Sequence, residues 1–119
     1  MINEVFSKKL EEISNLELGW DGYDAKPFSD SVLNNAAIVL SNIGFQDETL
    51  GIYPTGRNSI QIEYYPETDC DSDAGVELEI FDTHAEYSAV RGGEWVIDGD
   101  PVTFSDCIAI LNNFHQEKK

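Results

Sequence analysis

The stretch Val76-Glu77-Leu78-Glu79-Ile80-Phe81-Asp82-Thr83-His84-Ala85-Glu86-Tyr87-Ser88-Ala89-Val90-Arg91-Gly92-Gly93-Glu94-Trp95-Val96 decides the fold. From Val76 to Phe81, residues for one face alternate with residues for the other, which is the period of a half-buried strand. Two more strands follow, about His84 to Val90 and Glu94 to Ile97. Between them Gly92-Gly93 tolerates positive φ at both positions of a two-residue primed hairpin turn. Register can be argued as well. Ile80 must face the core, so its cross-strand partner must be apolar, because a slip of one residue reverses every side chain. Pairing Ile80 with Tyr87 and Leu78 with Ala89 meets that condition and leaves Asp82 to Ala85 as the hairpin loop. Beyond the glycine turn, Arg91 is expected opposite Glu94, Val90 opposite Trp95 and Ala89 opposite Val96.

Upstream, Ser59 to Tyr65 alternates in the same way, with Ile60, Ile62 and Tyr64 on one face and Gln61, Glu63 and Tyr65 on the other. Gly51-Ile52-Tyr53-Pro54 reads as a short edge strand, where proline is tolerated. Helical spacing appears outside this run. Residues 2 to 15 place Ile2, Val5, Phe6, Leu10 and Ile13 on one face, with Lys9 as the polar exception. A second helix starts at Ser29 as N-cap, flanked by Phe28 and Leu33 as a hydrophobic staple. Val32, Ala36, Ala37, Val39, Leu40 and Ile43 form its apolar face, and Gly44 fits a C-cap. A third helix opens on Thr103-Phe104-Ser105-Asp106, a variant capping box with Val102 and Cys107 as staple. Phe104, Cys107, Ile108, Leu111 and Phe114 are its buried face, and the chain from Gln116 to Lys119 is expected to fray. The fold class is therefore α+β. One antiparallel meander sheet of four to five strands carries three helices on one face, in the order α-α-β-β-β-β-α. Residues 1–119 form a single domain.

Composition narrows the setting. The chain has 119 residues, with 7 Lys plus Arg against 23 Asp plus Glu, a net charge of −16. That charge repels nucleic acid and anionic membrane, and any electrostatic partner is a cation or a basic protein. No secretory signal is expected at the N-terminus and no segment approaches a membrane span. Cys70 and Cys107 have no metal spacing. A cytoplasmic protein with two free thiols is the simplest reading, and one disulfide between them is the alternative.

Among the candidate sites, the acidic run comes first. Between Arg57 and Arg91 there is no Lys or Arg, while Glu63, Glu67, Asp69, Asp71, Asp73, Glu77, Glu79, Asp82 and Glu86 are all acidic. Alternating acids at 67–73 invite a calcium loop, yet the turn glycine and the bidentate Glu of that motif fall on Ala74 and Ile80, or on Ser72 and Leu78. No metal or other cofactor is expected. Catalytic signals are weak: His84 lies in a hairpin loop, His115 near the end of the third helix, and Cys107 in a staple. Asp98-Gly99-Asp100-Pro101 reads as a turn. No catalytic residues are assigned. The outer sheet face is the better candidate. Tyr65, Phe81 and Trp95, with Glu63, Glu77, Glu79 and Glu86, are expected to share it as a partner-binding surface of apolar anchors among carboxylates.

The segment Gly19-Trp20-Asp21-Gly22-Tyr23-Asp24-Ala25-Lys26-Pro27 links the first two helices. Its glycines allow positive φ, Asp21 can bond nearby amides, and Trp20 and Tyr23 can cap the open end of the core, with their polar atoms reaching backbone groups. Gly19, Trp20, Asp21, Gly22, Tyr23 and Pro27 form a structural motif on this reading. The segment resembles a family of small, largely uncharacterised bacterial proteins that share a GWDGYGA-x-P-like motif. Asp24 stands where the family pattern has glycine. The resemblance implies a bacterial origin and a recurrent domain in which this segment links two N-terminal helices and strands follow; it implies no reaction.

The functional expectation is an acidic binding or accessory protein that takes a basic peptide or protein on its outer sheet face, with no direct nucleic-acid or membrane partner. An acidic mimic of nucleic acid, acting on a DNA-binding protein, is the second reading, and an enzyme of unknown type is the third. The sequence leaves the oligomeric state open.

Overall fold

The computed structural model describes residues 4–17, 19, 20, 22, 27–45, 50–65 and 74–117. Three helices, α1 (Glu4–Ser14), α2 (Asp30–Asn42) and α3 (Phe104–Glu117), accompany five strands. These are β1 (Leu50–Thr55), β2 (Ser59–Tyr64), β3 (Gly75–Ile80), β4 (Ala85–Arg91) and β5 (Glu94–Val102). The strands form one antiparallel sheet in the order β1-β2-β3-β4-β5, a plain meander. The run at residues 51–54 is thus a full edge strand, and the element order is α-α-β-β-β-β-β-α.

Strand alternation supplies the inner face. Ile52, Ile60, Ile62, Tyr64, Val76, Leu78, Ile80, Ala85 and Ala89 are all buried there. They share one core with Phe6, Leu10 and Ile13 of α1, Val32, Ala36, Val39 and Leu40 of α2, and Cys107, Leu111 and Phe114 of α3. α1 lies against β1, α2 against β2 and β3, and α3 against β3 and β4. Val5, expected in the core, is 62% exposed; it sits at the margin of the stripe centred on Phe6, Leu10 and Ile13.

The helix starts follow the capping rules. Ser29 Oγ accepts from the Val32 amide at 3.3 Å. At α3 the box closes both ways: Thr103 N–H donates to Asp106 Oδ2, and Asp106 N–H to Thr103 Oγ1, each at 3.0 Å. The end of α2 differs from expectation. The chain leaves the helix extended at Ile43 (φ −75°, ψ 142°), and Gly44 is no left-handed cap but donates its amide to Asn112 Oδ1 of α3 at 2.7 Å.

Two registers differ as well. Ile80 pairs with Ala85, Leu78 with Tyr87 and Val76 with Ala89, a slip of two residues from the expected pairing. A shift of two preserves every facing, so the hydrophobic pattern satisfies both. The tighter loop wins because Phe81 N–H closes it on His84 O at 2.9 Å. After the Gly92-Gly93 turn, with φ 60° and 76°, Arg91 pairs with Glu94 and Val90 with Trp95, but Ala89 pairs with Ile97. Val96 is an extra residue, and Asp98-Gly99 oppose Ser88 alone. The strand therefore runs through Asp98-Gly99-Asp100-Pro101, which is a bulge within β5 and not a turn. Gly99 (φ 71°) donates its amide to Ser88 Oγ at 2.9 Å.

Candidate functional site on the outer face of the sheet

Register lays the outer face out in rows. One row runs Tyr53–Gln61–Glu79–Glu86–Pro101, the next Gly51–Glu63–Glu77–Ser88, and a third Gly75–Val90–Trp95. Two like-charged pairs result, Glu63 opposite Glu77 and Glu79 opposite Glu86. Such pairs destabilise a sheet unless something offsets them.

The Glu79–Glu86 pair is offset from within. Arg57, in the turn between β1 and β2, grips Glu79 with both Nε, at 3.1 Å, and a terminal nitrogen. The same guanidinium lies 3.9 Å from Glu86 and 5.4 Å over the Phe81 ring. Phe81 stacks on His84 with centroids 4.9 Å apart, and His84 Nε2 is 3.9 Å from Glu86. Ser59, fully buried, donates its hydroxyl to Glu79 and meets Thr55 Oγ1.

The Glu63–Glu77 pair has only neutral donors among the described residues. Gln61 Nε2 reaches Glu63 Oε1 at 2.7 Å and Glu77 Oε1 at 3.0 Å. Tyr65 donates its hydroxyl to Glu77 Oε2. Its ring covers Gly75, where a Cβ would collide with it. Burial, then the bond to Glu77 and the charges of Glu77 and Glu63, hold the Tyr65 phenol well above its ordinary value. Glu79, Glu86 and one member of the other pair, Glu77, border one depression of about 170 Å³ that Arg57, Gln61, Ser88, Asp98 and Gly99 also line.

The aromatics frame this acidic centre instead of forming one cluster. Trp95 is 54% exposed and shares a row with Val90 and with Gly75 under Tyr65. Phe81 lies at the other end of β3, about 20 Å away at the rise of a strand. Arg57, Ser59 and Ser88 were not singled out from the sequence. The signal for Arg57 was its position as the last cation before the acidic run.

Gly19 and Gly22 take φ of 77° and 84°; Trp20 N–H bonds Glu17 O across Gly19, and Gly22 N–H bonds Gly19 O. Trp20 packs against the core and tilts onto Phe28 at 5.9 Å. Its indole N–H, expected to reach a backbone group, is buried with no partner among the described residues. Pro27 is exposed. Asp21, Tyr23 and the acidic run at 66–73 with Cys70 lie outside the described residues. His115, near the end of α3, is packed: its ring stacks on Phe45 at 4.0 Å and Nδ1 meets the Tyr64 hydroxyl at 2.7 Å. Cys107 is a free, buried thiol pushed up to about 12 by burial and by Asp106, which leaves it protonated and inert.

Among the described residues, no helix is long and apolar enough to cross a membrane. No protein-family model, curated protein or solved structure matches the chain.

Proposed function

We propose that this protein is a binding protein that takes a basic segment of another protein on its outer sheet face, in an accessory, inhibitor or immunity-type role in a bacterial cytoplasm. One observation carries the reading: the sheet opposes two glutamate pairs, and among the described residues a cation reaches only one of them. Glu79 and Glu86 have Arg57, whereas Glu63 and Glu77 have Gln61 and Tyr65. A Lys or Arg side chain from a partner offsets the second pair as Arg57 offsets the first. Exposed Trp95 adds an aromatic anchor of the kind that dominates binding energy. The free thiol of Cys107 accords with a reducing compartment.

Calorimetric titration with an arginine-rich peptide tests this. Glu63→Gln combined with Glu77→Gln is expected to weaken binding about tenfold or more, the equivalent of ~1.4 kcal/mol. Glu11→Gln with Glu12→Gln changes the net charge equally on α1 and should leave affinity within about twofold, since distant exposed charges are screened. Equal loss in both variants, or none in either, overturns the reading.

Mimicry of nucleic acid is supported by one feature, the rows of opposed carboxylates held in place by Gln61, Tyr65, Ser59 and Arg57. A mimic competes with DNA for a DNA-binding protein and is released steeply by salt; a partner anchored on Trp95 is not displaced by DNA.

A further inference from the structure

We infer that the free edge of β5 is where the basic segment docks, adding to the sheet as an extended sixth strand. This rests on the basic-partner reading above and names the form the partner takes.

The sheet has two edges, and they differ. β1 has six residues, contains Pro54, and has α1 packed against it. β5 has nine residues, nearly all exposed, and among the described residues its only strand neighbour is β4. In a two-residue hairpin the residues flanking the turn bond each other and the next pair does not. Arg91 and Glu94 flank this turn, so the backbone N–H and C=O of Trp95 face the free edge. Two consecutive large apolar residues of this strand stand exposed, Trp95 at 54% and Val96, the extra residue of the bulge, at 57%. An open strand edge with exposed apolar residues is a template for another strand.

Charge selects the occupant. Glu94, Asp98 and Asp100 lie along the same strand, and each molecule carries −16. A second copy brings like charge against like and is disfavoured. A strand bearing Lys or Arg at alternate positions is complemented instead. Asp98 lines the depression on its β5 side, so an outward-facing basic side chain of an added strand, about 4.8 Å beyond β5, meets Asp98 at the border of the acidic centre, with Glu86 of β4 next in line. Another can lie over Trp95 as a cation on an aromatic face. The Gly99 bulge breaks the regular ladder, which centres docking on Glu94 to Ile97.

The test uses the full chain with an end-capped eight-residue peptide that alternates arginine and valine, and two versions of it N-methylated along one backbone edge or the other. The parent peptide is expected to slow amide exchange at Trp95 about tenfold or more; methylating one edge should weaken binding about tenfold, and methylating the other should change it by less than about threefold. Equal affinity of the two methylated peptides with unchanged exchange at Trp95 overturns edge docking and leaves the basic-partner reading standing. Failure of the parent peptide to bind overturns both. A concentration-dependent dimer in sedimentation that protects the same amide assigns the edge to a second copy and also overturns the proposal.

Discussion

Glu63 and Glu77 stand directly opposite each other on adjacent strands, and a single amide nitrogen, Gln61 Nε2, donates to both. A neutral amide holds the two carboxylates in place without cancelling their charges. Among the described residues this pair therefore keeps a repulsion that its neighbouring pair, Glu79 and Glu86, has relieved through Arg57.

Removing one of these charges should stabilise the fold. Glu63→Gln keeps an acceptor for Gln61 and deletes the like-charged pair, so chemical denaturation is expected to show a gain of up to about 1 kcal/mol. The same variant weakens arginine-peptide binding. A gain in stability coupled to a loss of affinity marks a repulsion retained for function.

Gly75→Ala should dislodge Tyr65, because a Cβ at 75 meets the Tyr65 ring. Overpacking of this kind costs about 1–3 kcal/mol. The displaced phenol then loses Glu77, and an ultraviolet difference titration against wild type should reveal one more tyrosine that ionises near its ordinary value.

The raised Tyr65 phenol has a consequence for stability against alkali. The folded chain keeps this proton above the ordinary value of 10.0, whereas the unfolded chain releases it there. The native state then binds more protons, so this contribution is intact below pH ~10 and falls as pH rises above it. Tyr65→Phe, which has no proton to lose, should show a shallower decline in urea midpoint between neutral and strongly alkaline pH.

Cys107 should be silent to thiol reagents in the folded protein. In Cys70→Ser, where Cys107 is the sole thiol, Ellman's reagent at pH 8 is expected to react only as the chain unfolds, since burial holds the thiol up near 12. Prompt stoichiometric reaction under native conditions would refute this.

Gly99→Ala probes the bulge. No atom lies within 4 Å of a Cβ there, but φ is +71°, so the expected cost of about 1 kcal/mol comes from backbone conformation alone. Urea denaturation reads it directly.

Much of the architecture was legible along the chain because its causes are local. Ser29 and the Thr103–Asp106 box sit within one turn of the amides they satisfy. The period-two runs at Ser59–Tyr64 and Gly75–Ile80 divide core from outer face whatever their exact partners are. That division alone placed Glu63, Glu77 and Glu79 on one surface.

The rest depended on contacts between residues distant in sequence. A two-residue slip leaves every facing unchanged, so only closure of the Phe81–His84 loop selects Ala85 over Tyr87 as the partner of Ile80. A glycine with positive φ suits a turn and a bulge equally, and Ser88 on the neighbouring strand decides that Gly99 is a bulge and that β5 runs on to Val102. Arg57 lies 22 residues from Glu79, and His115 51 from Tyr64; neither pairing has a local signature. Short-range periodicity and composition suffice for most of the elements, their faces and the charge of the surface. Which carboxylates oppose each other, and which of them receive a cation, follows from register and long-range pairing, and these depend on loop closure and on single extra residues that leave no trace in the periodicity.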